Sequence, residues 1–324
     1  MHGWARKLTG QALLTCLFVP LVAAGQGYPA KPVRIVVPLA AGGGVDSVAR
    51  AFAQKYSEAW KLPVIVENRP GAGNIIGADY VAKAAPDGYT LLASSSSLAS
   101  NAVLFRKLPF DAVRDFAPVT QFIATQLFLA LNQKVPASNV RELIAYAKSQ
   151  PGKLNYGSTG IGSGAHLISE MLKMDTGIDV VHVPYKGLAP ALTDVMSGQL
   201  GFTFGSQLAL EGPLKLGRLR AIASTGKTRL RTAADVPTIA ESGYGDYSMT
   251  AWWGVAVAAH TPRGVVNRLR DDIVAVLEQS DVRERLSGQG IELAGTTPAE
   301  FERFVREEVE RWGQAVRQSG AKPD

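Results

Sequence analysis

The sequence predicts an α/β protein folded as two lobes, each a mixed sheet flanked by helices. Three observations support this class. A unit of apolar strand, glycine-rich loop and helix occurs twice, at residues 33–56 and 153–174. Short apolar runs alternate with amphipathic helical patterns along the chain, as is typical of α/β proteins. The 324 residues are too many for one ordinary core, because single cores stop growing at roughly 250–300 residues.

The start of the chain predicts a secretory signal peptide. Arg6 and Lys7 form a positive start, and a mostly apolar stretch and small residues follow, which is the usual layout of such a peptide. We expect cleavage after Ala24 or Gly25 and export of the mature protein. The single cysteine, Cys16, lies inside this peptide, so we expect the mature protein to have no disulfide or thiol chemistry.

The charged residues and histidines argue against several function classes. The formal net charge is +6, and lysine and arginine are scattered, whereas a nucleic-acid groove needs a basic stripe. The histidines lack helical ligand spacing, and the carboxylates lack the spacing that a hard cation needs. We therefore expect no nucleic-acid partner, no metal and no cofactor.

The first strand–loop–helix unit predicts a loop that binds an oxyanion. Val33–Val37 is apolar and rich in β-branched residues, typical of a buried strand. Three glycines, 42–44, let a ligand approach the backbone without a Cβ in the way. We expect Asp46 to cap the following helix, whose start offers unpaired N–H groups. No Lys-Ser/Thr pair follows the glycines, which argues against a phosphate-binding loop. An ordinary tight turn is the alternative.

The elements that follow alternate in the same manner. Further strands are predicted at residues 63–67, 89–93, 119–124, 127–131, 153–156, 179–183, 200–204, 219–223 and 252–258. Further helices are predicted at 75–84, 140–148, 165–174, 189–196, 265–278 and 300–318. The serines at 94–97 are either hydrogen-bond donors at a strand end or a solvated loop. We expect the strands at 119–131 to cross between the lobes and 219–223 to return.

The second strand–loop–helix unit adds hydroxyl donors to the same design. Its loop, residues 157–164, contains Ser158, Thr159 and Ser163 and ends at a helix start. A serine hydrolase using Ser163 and His166 is the competing hypothesis. It is disfavoured because Tyr156 and Ile161 occupy positions where the G-x-S-x-G nucleophile elbow needs glycine.

Two oxyanion-binding loops, one in each half, indicate a clamshell receptor for a small carboxylate. Beyond this pattern, specific motifs occur in order along the chain: VVP (36–38), GGGVD (42–46), ENRPGAG (67–73), AAPDGYTL (84–91), NYGSTG (155–160) and HVPYKG (182–187). With these motifs the chain resembles the Bug family, the substrate-binding proteins of tripartite tricarboxylate transporters. The resemblance covers essentially the whole mature chain.

The resemblance implies a periplasmic binding protein of the type II clamshell class, a monomer without enzymatic activity. It implies lobe 1 at residues 26–124 and 222–324 and lobe 2 at 125–221, with crossing strands as the hinge. The implied partners are the large and small membrane subunits of a transporter, and a membrane sensor is the alternative. The implied ligand is a di- or tricarboxylate, an acidic amino acid or an aromatic acid.

The resemblance also implies which residues contact the ligand. The candidates are Ala41, Gly42, Gly43 and Asp46 in the first loop, Ser158, Thr159, Ser163 and Gly164 in the second, and Ser95, Ser96, Ser97 and Ser206 as further wall residues. The chain departs from the family pattern at Gly205, where an Asp or Asn is usual. We therefore expect no contact there with a ligand amine.

Overall fold

The computed structural model describes residues 27–244 and 249–319, so the predicted signal peptide lies outside the described residues. The strands are β1 (Val33–Val37), β2 (Val64–Asn68), β3 (Thr90–Ser95), β4 (Phe116–Asn132), β5 (Asn155–Ser158), β6 (Val181–Pro184), β7 (Phe202–Ser206), β8 (Leu219–Ser224), β9 (Thr250–Ala258) and β10 (Ile291–Leu293). The helices are α1 (Gly44–Trp60), α2 (Ile75–Ala82), α3 (Ser96–Leu104), α4 (Val140–Ser149), α5 (Gly164–Thr176), α6 (Leu188–Ser197), α7 (Gln207–Lys215), α8 (Arg263–Leu277), α9 (Ser280–Gly288) and α10 (Pro298–Ser319).

Strand β4 joins the two halves of the sheet. The strand order is β2-β1-β3-β9-β4-β7-β5-β6, and β8 and β10 also pair with β4. The first part of β4, up to Gln126, pairs with β9, whereas the part from Leu127 onward pairs with β7. We call the half that contains β1, β2, β3, β9 and β10 sheet A, and the half that contains β5 to β8 sheet B. Strand β4 belongs to both.

Each half is a mixed sheet. In sheet A, β1 is parallel to β2 and β3, and β9 is antiparallel to β3. In sheet B, β5 is parallel to β6 and β7, and β7 and β8 are antiparallel to β4. Parallel neighbours need crossover connections, which α1 supplies between β1 and β2 and α5 between β5 and β6. The predicted fold class, two mixed sheets flanked by helices, is confirmed.

Helix α1 shows how packing positions the loop before it. Val45, Val48, Phe52 and Tyr56 are buried on one face, three and four residues apart. This apolar stripe shares a core cluster with Ile35 of β1. The helix is thereby held along the sheet with its N-terminus at the carboxyl end of β1.

Helix α10 packs on elements of both halves. It contacts α3, which follows a strand of sheet A, and α5, which follows a strand of sheet B. Its buried Glu308 accepts hydrogen bonds from the indole N–H groups of Trp252 and Trp312, at 2.7 and 2.8 Å, and pairs with Arg311 at 3.0 Å. A buried carboxylate requires such partners. Although α10 has 22 residues, neither it nor any other described helix is long and apolar enough to cross a bilayer.

The structure differs from the sequence prediction in three places. Strand β4 is one continuous strand where two were predicted, because Thr125 and Gln126 at the joint keep their pairing with β9. The serines at 94–97 are buried at the end of β3 and the start of α3, so the solvated-loop alternative is wrong. Helices α3, α7 and α9 and strand β10 were not predicted. Helix α7 buries only Leu210, and helix α9 buries only Leu286. Neither helix therefore has a repeating apolar pattern that the sequence could reveal.

Candidate functional site

A cavity lies between the two sheets, at the carboxyl ends of their parallel strands. Strands β1 and β3 reach it from sheet A, and β5 and β7 reach it from sheet B; this edge is where open α/β sheets usually bind ligands. The volume of the cavity is about 80 Å³. Its lining residues are Leu39, Ala40, Gly43, Gly44, Val45, Asp46, Asn74, Ser95, Ser96, Ser97, Leu127, Thr159, Ser163, Gly164, Ala165, Leu188, Phe204, Gly205, Ser206, Ala251 and Trp253.

Five helices begin at this cavity. The first residues or N-caps of α1, α3, α5, α6 and α7 line it, and they include Gly44, Ser96, Gly164, Leu188 and Ser206. The first N–H groups of a helix have no acceptor within the helix, and the helix dipole places about half a positive charge there. The backbone therefore supplies a strongly positive potential inside the cavity.

No lysine or arginine is among the described residues that line the cavity, and its one charged lining residue is Asp46. The described part of the chain also holds no group of three His, Cys, Asp or Glu residues that could bind a metal. Positive potential at this site consequently comes from dipoles and not from formal charges. Such groups stabilise anions through short hydrogen bonds.

The first glycine loop leads into α1 without a side-chain cap. Gly43 is the N-cap residue, and no side chain caps the helix; the expectation that Asp46 is the cap is wrong, because the helix starts two residues before it. The first backbone hydrogen bond runs from Ser47 N–H to the Gly43 carbonyl, at 2.9 Å. The N–H groups of the preceding turn are left without a partner within the helix.

Asp46 organises the first loop through its carboxylate. One oxygen accepts from Gly42 N–H at 2.9 Å and from Arg50 Nε at 3.0 Å, and the other accepts from Asn68 Nδ2 at 2.9 Å. Burial by itself raises the pKa of the Asp46 carboxyl, but these hydrogen bonds outweigh it and hold the pKa below its ordinary value of 3.8. The carboxylate is therefore ionised and occupied by protein donors.

The second glycine loop uses neutral groups for the same task. Ser163 is the N-cap of α5, and its Oγ accepts from His166 N–H at 3.3 Å. Ser158 lies behind the loop, where its Oγ contacts the Gly160 backbone at 3.1 Å and His182 Nε2 at 2.7 Å. The rings of His182 and His166 stack with centroids 4.2 Å apart. The loop is thus supported from behind by imidazoles and a hydroxyl.

The ionisation of His182 fits this neutral environment. Burial, followed by the neighbouring His166 and Lys173, lowers the pKa of His182 from 6.5 to about 3. The imidazole is therefore uncharged at neutral pH. An uncharged ring avoids placing a cation directly against the second imidazole in the stack.

Several hydroxyl groups at the cavity are oriented by protein donors. Ser97 Oγ accepts from Asn74 Nδ2 at 2.9 Å, and Ser206 Oγ accepts from Ala209 N–H at 3.4 Å, as Ser163 Oγ does at the start of α5. A hydroxyl group has one proton to donate and two lone pairs. Each of these serines uses a lone pair within the protein and retains its proton for a ligand acceptor.

Direct contacts between the loops of the two sheets close the cavity. Ala40 N–H, after β1, donates to the Lys186 carbonyl, after β6, at 2.7 Å. Ser100 of α3 donates to the Gly162 carbonyl of the second loop. A Cβ on Gly187 would lie 3.0 Å from Ala40, so these loops touch through backbone. The structure is therefore in a closed form.

The structure brings most of the candidate residues together. Those that line the cavity are Gly43, Asp46, Ser95, Ser96, Ser97, Thr159, Ser163, Gly164 and Ser206. Ala41 and Gly42 are exposed outside it, and the Gly42 N–H is already donated to Asp46. Ser158 is fully buried behind the second loop.

Sequence reasoning did not identify the apolar part of the wall. The unpredicted lining residues include Leu127, Leu188, Phe204 and Trp253. All four also fit core patterns of strands or helices, so their types give no signal of a cavity. Asn74, which is also part of the lining, has a positive φ of 78°, which a local sequence pattern does not reveal.

The geometry does not support Ser163 as a nucleophile activated by His166. In the described residues, Ser163 Oγ accepts the backbone N–H of His166 and is not bonded to a histidine ring. His166 Nδ1 instead accepts the Gly162 N–H at 3.2 Å. A nucleophile needs a base within hydrogen-bond reach of its hydroxyl, and Ser163 has none.

Comparison with known proteins gives a family match over most of the chain. The model of the tripartite tricarboxylate transporter family receptor matches residues 48–321. Protein BugT of Bordetella pertussis is 35% identical over 297 residues, which cover 91% of each chain. The family model thus covers the second glycine loop and most strands of both sheets, and it begins just after the first glycine loop.

Solved structures of similar proteins share the whole fold. A protein of R. palustris solved with adipate has a TM-score of 0.88 and 32% identity, covering 91% of this chain and 99% of its own. MatC from Rhodopseudomonas palustris, solved with bound malate, has a TM-score of 0.86 and 30% identity, covering 89% and 100%. The two-lobed clamshell of periplasmic binding proteins is thereby confirmed as the fold.

Proposed function

Because this chain belongs to the tripartite tricarboxylate transporter receptor family, we propose that it captures a small carboxylate in the periplasm for uptake by that type of transporter. The family expected from the sequence motifs is confirmed. It is a family of substrate-binding receptors and not of enzymes, so the serine-hydrolase hypothesis is set aside. In this proposal the membrane partners are the large and small transporter subunits.

One observation carries the choice of ligand: five helix N-termini converge on a cavity whose lining contains no lysine or arginine. An anion placed there receives hydrogen bonds from backbone N–H groups and serine hydroxyls. A ligand without acceptor oxygens would leave these donors unpaired, and a buried unpaired donor costs about 1–3 kcal/mol. A neutral acceptor such as an amide oxygen would pair with them, but through weaker bonds than an ionised carboxylate forms. The site is therefore suited to an anion.

The arrangement favours a ligand with two anionic groups. The starts of α1 and α5 follow strands of different sheets, and both line the cavity. Apolar side chains, among them Leu127 and Phe204, also line the cavity. A dicarboxylate of short chain length would place one carboxylate at each helix start and its carbon chain against the apolar side chains. The similar proteins solved with adipate and with malate hold dicarboxylates of this size.

Closure of the cleft accompanies binding in this proposal. The contacts from Ala40 to Lys186 and from Ser100 to Gly162 link the two sheets across the cavity, so they must open before a ligand can enter. Strand β4 changes partners between Gln126 and Leu127, which makes this the natural place for the two halves to bend. We propose that the hinge lies there; the lobe boundaries at residues 124–125 and 221–222 stay predictions.

A ligand screen by thermal unfolding of the mature protein tests the proposal. The panel contains C4 to C6 dicarboxylates, tricarboxylates and aromatic acids, each paired with its neutral amide. A ligand at 100 times its Kd stabilises the folded state by about 2.7 kcal/mol, which raises the Tm by several degrees. We expect at least one acid to raise the Tm while its amide does not. Equal shifts from acids and amides, or no shift from any acid, would overturn the proposal.

A further inference from the structure

Two adjacent tryptophans on β9 have opposite environments. Successive side chains of a strand point to opposite faces. Trp252 is buried in the core, 1% exposed, and its indole N–H donates to Glu308 at 2.7 Å. Trp253 lines the cavity and is 7% exposed. Its indole N–H has no hydrogen-bond partner among the described residues.

The other described tryptophans show that this is unusual within the molecule. Trp60 donates its indole N–H to Asp272 at 2.8 Å, and Trp312 donates to Glu308 at 2.8 Å. With Trp252, every described tryptophan except Trp253 therefore donates to a protein carboxylate. A tryptophan as buried as this one ordinarily finds an acceptor for its N–H, and Trp253 lines a cavity that is suited to anions.

The position of the Trp253 ring is held by close packing. Its backbone pairs with Ser95 of β3 and Ile123 of β4. A Cβ added to Gly44 would lie 2.8 Å from Trp253 Cη2 and 3.3 Å from Cζ2, so this ring edge lies against the start of α1. Within an indole, Cζ2 is separated from Nε1 by one ring carbon. The ring edge next to the N–H therefore lies at the start of α1, where the helix has unpaired backbone donors.

We propose that Trp253 is a specificity-determining residue whose indole N–H donates to the ligand carboxylate held at the start of α1. This inference rests on the proposed function as a carboxylate receptor. The ligand thereby supplies the carboxylate acceptor that Glu308 and Asp272 supply to the other tryptophans. The indole also limits how closely a ligand can approach β9, because it fills the space above Gly44.

The affinity test replaces Trp253 by phenylalanine, which keeps an aromatic ring and removes the N–H donor. Calorimetric titration uses the dicarboxylate that gives the largest Tm shift. A hydrogen bond to a charged group contributes about 1.5–3 kcal/mol, so we expect W253F to bind at least about tenfold more weakly. The matched control is W60F, which removes an indole N–H outside the cavity and should bind as the wild type does.

The direct test follows the indole N–H itself by 15N NMR of the tryptophan side chains. The signal that is missing in W253F identifies Trp253, and we expect it to move downfield when the dicarboxylate is added. The diamide should not move it. A tenfold affinity loss without movement of this signal would show that the ring acts through packing alone, and would overturn the donor role.

The two proposals fail in distinguishable ways. If the wild type binds no carboxylate, the proposed function is wrong. If the wild type binds a carboxylate and W253F binds it equally well, the receptor function stands and the role of Trp253 is wrong. The Tm of ligand-free W253F serves as the check that the variant is folded.

Discussion

The two glycine loops start helices at the same cavity but are supported in different ways. The first loop, residues 38–43, is fixed by the ionised Asp46 with Arg50 and Asn68. The second, residues 157–163, is fixed by neutral groups: the cap Ser163, and Ser158 with His182. Both leave backbone donors available at the helix start. The difference shows that a helix N-terminus can be presented to a ligand with either charged or uncharged support.

The difference has a consequence for binding. A carboxylate near the ligand site repels an anionic ligand unless its charge is offset. The charge of Asp46 is offset by its ion pair with Arg50 and by two further hydrogen bonds, from Gly42 N–H and Asn68 Nδ2. The second loop brings no such charge to the cavity. The first loop should therefore be the more sensitive to added negative charge, and the second the more sensitive to acid.

The largest effect is expected from adding a charge to the first loop. A Cβ at Gly43 has no neighbour closer than 4.0 Å, the Leu188 nitrogen, and Gly43 has an extended backbone with φ −85°, so a side chain fits. Two like charges about 4 Å apart repel by about 4 kcal/mol at an effective dielectric of 20. We expect Gly43→Asp to weaken dicarboxylate binding at least about a hundredfold by calorimetry.

The control is Gly43→Asn, because the Asn side chain has nearly the size and shape of Asp but carries no charge. Asp and Asn are both good N-cap residues, so neither change should lower the Tm of the ligand-free protein. Asn should lose far less affinity than Asp. Similar losses in the two variants would show that the side chain blocks the site by size and not by charge.

A smaller effect is expected from adding a methyl group at the first residue of the helix that follows each loop. Gly44→Ala places a Cβ 2.8 Å from the Trp253 ring and 3.3 Å from Ser206 Oγ. Gly164→Ala meets only ordinary contacts of 3.7–3.8 Å. Overpacking typically costs about 1–3 kcal/mol. We expect Gly44→Ala to lose about tenfold in affinity and some stability, measured by titration and denaturant unfolding.

Gly164→Ala provides the matched comparison at the second loop. It should keep near-normal stability and affinity, because its new methyl group contacts neighbours at normal distances. If Gly164→Ala loses as much affinity as Gly44→Ala, the ligand contacts the backbone of α5 as closely as Trp253 contacts that of α1. The space for a ligand would then be equally limited at the two helix starts.

The last effect concerns the pH dependence of stability, and it is absent at neutral pH. The pKa of His182 is about 3 in the folded protein against an ordinary 6.5, so between these values the unfolded chain binds a proton that the folded chain does not. The part of the free energy of unfolding that comes from neutral His182 is fully present above pH 6.5. It is lost as the pH falls toward 3. The slope is at most about 1.4 kcal/mol per pH unit. His182→Gln should flatten the decline between pH 6.5 and 4, measured by denaturant unfolding.

Asp46 provides the contrast at the first loop. Its pKa lies below 3.8 in the folded protein, so its contribution is present above the ordinary value and is lost only as the pH falls below it. Asp46→Asn should lower stability at neutral pH but leave the slope between pH 6.5 and 4 unchanged. A wild-type decline in that range that His182→Gln does not alter would assign the acid sensitivity to another group.

The sequence determined the elements whose patterns are local. The strand over Val33–Val37 and the helix from Val140 were predicted as observed, because β-branched runs and helical apolar patterns are local signals. The family was also determined by local motifs, and most of the candidate cavity residues belong to those motifs. Glycines and serines next to strand ends form these loops through their own backbone and hydrogen-bonding properties.

Tertiary structure decided which loops meet and what completes the wall. Local sequence did not reveal that α3, α6 and α7 also begin at the cavity, since strand order sets which strand ends are neighbours. It also did not distinguish Trp252 from its neighbour Trp253, because the face of β9 that meets the core depends on packing against α10. Core formation and cavity formation use the same apolar residue types. Only the assembled sheets separate the two roles.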